Sequence, residues 1–237
     1  MSSKPFPTAG SPTVFVVDDD PAVCKALARL LRSAGHAVET FSSAREFLDM
    51  VPHDDVAGCL VLGVQMPGLS GIELQKELKE LTPPIPIIFL TGHGDISMGV
   101  GAMKEGAVDF LTKPVVDESL LRAVQQAIDR NSVDRARYAE LRVLQERWNT
   151  LTPREREVMA LVVSGRLNKQ AASELGTVEK TIKVHRGRVM EKMRVTSLVD
   201  LVVVAEKLGI GPRQMTPPAV DSLNSPSSPT NLLRPPA

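Results

Sequence analysis

The chain has 237 residues, equal numbers of basic and acidic side chains at 28 each, and a single Trp and a single Tyr. That length suits two modest domains, each large enough to bury its own core, and the scarcity of aromatics excludes a base-stacking platform for single-stranded nucleic acid. There is no run of about 18 apolar residues and no basic-then-apolar leader, so the expectation is a soluble cytoplasmic protein with no membrane partner.

Residues 1–12 hold three prolines among Ser, Thr and Gly and are expected to form a flexible arm. From residue 13 a short apolar run alternates with helix-spaced apolar residues. Strands are predicted at 13–17, 37–41, 59–62, 85–90 and 108–111, with helices at 21–33, 43–50, 72–81 and 95–105 between them. Such a βα alternation predicts an α/β doubly wound, flavodoxin-like domain of five parallel strands over residues 13–130. Its binding residues should gather at the carboxyl ends of the strands. Residues 117–148 contain neither Gly nor Pro. The last helix is therefore expected to continue as a helical linker over 131–150. Leu120, Val124, Ala127, Tyr138, Leu141 and Trp148 give it an approximate apolar stripe, interrupted by Asn131 and Asp134.

Thr152-Pro153-Arg154-Glu155 combines a threonine cap, a proline at the first helical position and a glutamate at the third. A helix to about residue 164 should follow. Further helices are expected at 169–175, with Asn168 as its cap, at 178–193 and at 197–208. Four helices in 60 residues, with a glycine turn between the second and third, predict an all-α helix-turn-helix domain over 151–211. Residues 212–237 carry 7 of the 18 prolines and many serines. Their composition predicts a disordered tail.

Net neutrality hides an asymmetry. Residues 1–130 carry 11 basic and 17 acidic side chains, a balance of −6, whereas residues 151–211 carry 11 basic and 7 acidic, a balance of +4. Only the second half is expected to meet nucleic acid. Cys24 and Cys59 read as small core residues rather than a disulfide or metal pair. The lone histidines His93 and His185 lack the clustered partners that metal binding or catalysis would need.

Asp18, Asp19 and Asp20 follow the first strand directly, and like charges so close call for a cation or a lysine to compensate them. An oxygen-preferring divalent ion such as Mg²⁺ is the natural tenant. Thr91 ends the fourth strand and Lys113 the fifth, beside Pro114. A hydroxyl and an ammonium at one rim complement phosphoryl oxygens. With the Met66-Pro67-Gly68 turn, Thr91-Gly92 and Phe110, these residues make residues 13–130 resemble the receiver domain of two-component response regulators. The resemblance implies that Asp18, Asp19 and the backbone carbonyl of Gln65 hold Mg²⁺. It also implies that Thr91 and Phe110 couple phosphorylation to a signalling face, that Lys113 pairs with the phosphoryl group, and that a sensor histidine kinase is a partner. Gly63 departs from the pattern, because it stands where that family carries its phosphate-accepting aspartate. A glycine cannot form an acyl phosphate, and one metal ligand is lost, so Mg²⁺ binding should be weak or absent. Asp54 and Asp55 lie at the wrong end of the strand to replace it.

The second domain resembles the DNA-binding domain of LuxR and FixJ regulators through residues 151–158, Asn168-Lys169-Gln170-Ala171-Ala172 and Val178-Glu179-Lys180-Thr181-Ile182-Lys183-Val184-His185. Ile182, Val189 and Met193 should face the core. Lys183 and Val184 are candidates for base edges, and Lys169, Lys180, Thr181, Arg186 and Arg188 for phosphate contacts on duplex DNA. The expectation is a dimeric DNA-binding transcription regulator whose receiver is not phosphorylated. Two alternatives stay open: a Mg²⁺-dependent phosphatase using Asp18 and Asp20, and an interaction protein that sequesters a kinase or a partner regulator.

Overall fold

A computed structural model describes residues 11–50, 56–79, 83–92 and 96–210. Residues 1–10 of the predicted arm, the tail, the Asp54-Asp55 pair and His93 lie outside the described residues. Two compact units divide the chain, 1–142 and 143–237. The division falls inside the segment expected to be a linker.

Unit 1 alternates β1 (Thr13–Val17), α1 (Pro21–Ser33), β2 (Ala37–Phe41), α2 (Ala44–Met50), β3 (Gly58–Gly63), α3 (Gly71–Leu78), β4 (Ile87–Thr91), α4 (Ile96–Lys104), β5 (Asp109–Thr112) and the part of α5 (Asp117–Asn149) that precedes residue 143. The five strands are parallel, in the order β2-β1-β3-β4-β5. Alternate side chains of the buried strands feed two cores. Val14, Val16, Cys59, Val61, Ile88 and Leu90 pack under α1 and α5, while Phe15, Val17, Leu60, Leu62 and Phe89 pack under α2, α3 and α4. Phe47 sits at the heart of the second core, edge-on to Phe15 and Phe41 with ring centroids 5.8 and 5.4 Å away. Each such ring, fully buried, contributes roughly 1.5–3 kcal/mol.

β4 begins at Ile87, two residues later than the apolar run suggests. Pro86 separates the run from the ladder because it has no N–H to donate, although its carbonyl accepts from Leu60 N at 2.9 Å. Gly58, at φ 141°, opens β3 where any Cβ would lie 1.8 Å from the Thr13 carbonyl oxygen. Its N–H is donated to the Oδ1 of buried Asn131, at 2.9 Å. Asn131 therefore belongs to the packed face of α5 with Leu120, Val124 and Ala127, rather than interrupting it.

Unit 2 contains α6 (Pro153–Val163), α7 (Asn168–Glu174), α8 (Glu179–Met193) and α9 (Leu198–Lys207). Thr152 caps α6 with the reciprocal Glu155 contact, and Ser197 caps α9 with Asp200 in the same way. Asn168 is not a cap, contrary to the sequence reading. It is the first residue of α7, and Gln170 Oε1 instead accepts from Leu167 N at 2.9 Å. Leu151, Val158, Met159, Val162, Ala171, Ala172, Ile182, Val189, Met193 and Leu201 form the core, with Trp148 packed against it. Arg156 lies over the Trp148 ring, 5.2 Å from its centroid.

Candidate functional site: a strand-end pocket and a helix-turn-helix

In unit 1 the carboxyl ends of β1, β3, β4 and β5 converge. Asp18, the first residue after β1, is 1 % exposed, and its Oδ2 lies 2.5 Å from Lys113 Nζ. Its Oδ1 accepts from Asp20 N at 3.1 Å. Both carboxylate oxygens thus have donors, which is what makes a buried charge tolerable. Lys113 is placed by its own backbone N–H, donated to Thr91 O at 2.7 Å, and the Lys113–Pro114 bond is cis. Asp20 has a different task. Its Oδ1 accepts from Ala22 N at 2.8 Å and caps α1, with Pro21 at the first helical position. Asp19 is exposed.

Gly63 ends β3 beside that pair, paired with Leu90 of β4. A Cβ built on it would lie 2.9 Å from Asp18 Oδ2 and 3.4 Å from Met66 Cγ. The Asp18 carboxylate fills the space a side chain at 63 would enter. Nothing in the backbone forbids such a side chain, since Gly63 is not among the positive-φ glycines. Its carbonyl is in turn approached by Gly71, where a Cβ would come within 2.2 Å.

Thr91 is buried at the end of β4, and Phe110 is half-buried with its ring centroid 6.2 Å from Phe89. Gly99 of α4 faces that ring closely enough that a Cβ would stand 3.2 Å away. Gln65 is exposed. Burial, with the Asp18 charge as the next cause, pushes the Cys24 thiol up, and burial alone pushes Cys59 up to about 12. Both are free and buried, so they act as core residues.

In unit 2 the turn between α7 and α8 is closed by Gly176 at φ 62° and by Thr177 N donating to Ala172 O at 2.9 Å. Arg154 Nη2 donates to Leu175 O at 2.6 Å and holds the same turn from α6. Ile182, Val189 and Met193 of α8 are buried as expected from their spacing. Lys180, Lys183, Val184 and Arg188 are exposed on the opposite side, Val184 by 48 %. Thr181 and Arg186 lie half-buried on the flanks, and Lys169 of α7 is exposed. Arg186 Nη1 donates to Asn168 Oδ1 at 3.4 Å, tying α8 to the start of α7. A second tie joins Lys192 Nζ to Glu155 Oε2 at 2.6 Å and to Thr150 O at 3.0 Å. Burial acts to raise the Glu155 carboxyl, but hydrogen bonds from Lys192 and Thr152 outweigh it and hold the carboxyl below its ordinary range.

Comparison with known proteins places both units. Residues 14–125 match the response regulator receiver domain, and residues 149–205 match the luxR family of bacterial regulatory proteins. Over 197 residues the chain is 52 % identical to nodulation protein W of Bradyrhizobium diazoefficiens, covering 83 % of this chain and 86 % of the relative. The transcriptional regulatory protein FixJ of the same organism is 43 % identical over 197 residues, covering 83 % of this chain and 96 % of FixJ. Among solved structures, the response regulator StyR is 48 % identical, with a TM-score of 0.72 and coverage of 84 % of this chain and all of StyR. The chain is a two-component response regulator.

Receiver domains generally bind Mg²⁺, and in this response regulator the strand-end carboxylates are those of Asp18 and Asp19, with none at Gly63. Asp18 has one oxygen committed to Lys113 and the other to Asp20 N. Among the described residues no three His, Cys, Asp or Glu side chains gather as a metal site. The response regulator has no helix, among the described residues, long and apolar enough to cross a membrane. Sequence reasoning allowed a lysine beside the aspartates without assigning Lys113 to Asp18, and it missed the Asn168–Arg186 and Glu155–Lys192 ties. Glu155 was visible as a cap, but its second partner lies 37 residues away.

Proposed function

We propose that this response regulator is a transcription regulator that binds duplex DNA as a homodimer in the cytoplasm, and that its receiver acts without aspartyl phosphorylation because Gly63 stands at the acceptor position. The observation that carries this reading is the closed pocket. Lys113, the ammonium that would meet a phosphoryl group, is bonded to Asp18 at 2.5 Å, and the Asp18 carboxylate occupies the room a side chain at 63 would need. No carboxylate at 63 is present to become an acyl phosphate. A ligand that does not distinguish two conformations shifts nothing. The response regulator therefore rests at the ratio of active and inactive forms its own packing sets, and a sensor histidine kinase, if it docks, does so without phosphoryl transfer to residue 63.

Domain boundaries in this reading are 13–130 for the receiver, 131–150 for the linker and 151–211 for the DNA-binding domain. α8 enters the major groove. Lys183 and Val184 meet base edges, lysine as a donor to guanine and valine as an apolar contact for a thymine methyl. Lys169, Lys180, Thr181 and Arg188 hold phosphates. Arg186, tied to Asn168, positions α8 against α7 as well as supplying positive charge. The phosphatase reading is the poorer one, since Asp20 caps α1 and Asp18 is paired with Lys113.

The test compares DNA affinity of the chain with that of Gly63→Asp, each with and without Mg²⁺ and a beryllofluoride phosphoryl mimic, on a duplex selected from a random pool. Tightening by the variant alone supports the reading. Tightening by the native chain with the mimic overturns it.

A further inference from the structure

Gly187 lies in the middle of α8, well inside Glu179–Met193, where glycine weakens a helix relative to alanine. Its backbone is not in the positive-φ region, and a Cβ built on it would meet nothing within 4 Å. The protein itself thus gives no reason for a glycine here. Gly99 of α4 is the contrast, because a Cβ there would press on the Phe110 ring at 3.2 Å. Openness alone carries nothing, since Gly101 of α4 is open in the same way. The place on the helix decides.

Gly187 is exposed, and helical spacing puts it on the line that runs through Lys180, Lys183 and Val184, with Arg188 beside it. That line is opposite the buried Ile182, Val189 and Met193. Seven residues separate Lys180 from Gly187, roughly 10 Å at 1.5 Å per residue. A major groove is about 12 Å wide. With the amino-terminal part of α8 at the base edges, Gly187 falls where the helix passes the groove's rim. One turn further on the same line stands Glu191, an exposed acid that has no place against phosphate.

Resting on the DNA-binding reading above, we propose that Gly187 is a specificity-determining close-approach point, where the missing side chain lets the sugar-phosphate rim sit against the α8 backbone and so seats Lys183 and Val184 at the bases. A side chain at 187 lifts the helix out of the groove. Stability and affinity then move in opposite directions, which a merely structural glycine does not predict.

The test uses the full chain and its Gly187→Ala and Gly187→Leu variants, with Lys183→Ala as a reference. Unit 2 stability is read from the thermal midpoint of Trp148 fluorescence, since Trp148 is the one tryptophan and packs on that core. Affinity is read on a duplex selected by the native chain and on a random-sequence duplex of equal length. The expected result for alanine is a midpoint higher by about 3 °C or more, with selected-site affinity weaker by about fivefold. For leucine the loss is on the order of fiftyfold, with a smaller loss on the random duplex. Variants that stay within about twofold of native affinity on the selected duplex, while Lys183→Ala loses affinity, overturn the role of Gly187 and leave the DNA reading intact. A native chain that prefers no duplex over random sequence overturns both.

Discussion

The pocket of unit 1 and the helix pair of unit 2 use buried ion pairs in opposite ways. In unit 2, Glu155 and Lys192 form a pair that organises a working surface: Glu155 caps α6, and Lys192 draws α8 onto that cap and onto Thr150 O. The exposed basic residues of α8 remain available beside it. In unit 1, Asp18 and Lys113 form a pair that uses up the site, since the two groups best suited to a phosphoryl group or a cation satisfy each other. A buried charge must find a partner. Whether the partnership builds a binding surface or closes one depends on whether a third group, here a side chain at 63, separates the two.

The largest expected effect tests whether the units are separate at all. Phe47→Ala removes a fully buried ring from one core of unit 1 and should cost that unit about 3–5 kcal/mol, while the Trp148 fluorescence transition stays where it was. A Trp148 midpoint that falls along with the unit 1 circular dichroism transition would break the comparison at its base.

Lys192→Met should destabilise unit 2 by about 2–3 kcal/mol, because Glu155, 3 % exposed, is left without its cation. The effect has a pH signature. Glu155 is held below its ordinary value of 4.5, so its contribution is fully present above that value and is lost as pH falls through the depressed folded value. Urea unfolding followed at Trp148 should show stability dropping below about pH 4.5 in the native chain and a flatter acid limb in Lys192→Met. An unchanged acid limb would mean that the pair does not organise unit 2.

Lys183→Ala should weaken binding to a selected duplex by about 1–3 kcal/mol with little change in the Trp148 midpoint. A loss of equal size on random-sequence duplex would move Lys183 from the base edges to the phosphates. Gly63→Asp sharpens the other side of the comparison. Without Mg²⁺ the new carboxylate meets Asp18 Oδ2 and should destabilise unit 1 by about 1 kcal/mol, the like-charge cost exceeding the backbone-entropy gain. Added Mg²⁺ should reverse the loss in the variant and leave the native chain unmoved, as read from the unit 1 thermal midpoint. Smallest of all, Arg194 ends α8 in the left-handed region at φ 54°. Arg194→Gly should relieve that strain and raise unit 2 stability by about 0.5–1 kcal/mol, read by the same Trp148 assay.

The alternation of apolar runs and helical spacing made the five-stranded sheet legible in the sequence, because a parallel sheet buried on both faces needs near-continuous Val, Ile and Leu. Likewise the Thr152 cap, the glycine at 176 and the spacing of Ile182, Val189 and Met193 announced the helix-turn-helix, all being signals carried within one turn of the residues they specify. Asp18, Thr91 and Lys113 could be named as candidates for one rim for the same reason, each sitting at the end of its own strand. What lay beyond the sequence was which of these groups bond to one another. Asp18 and Lys113 are 95 residues apart, Asn168 and Arg186 are 18, and Asn131 reaches Gly58 across 73. Local pattern fixes which face a side chain takes, but a partner so distant in the chain is chosen only when packing brings the elements together and burial makes an unpaired charge or amide costly. The tertiary structure therefore decided that Asn131 is core, and that the room beside Gly63 is filled by the Asp18 carboxylate.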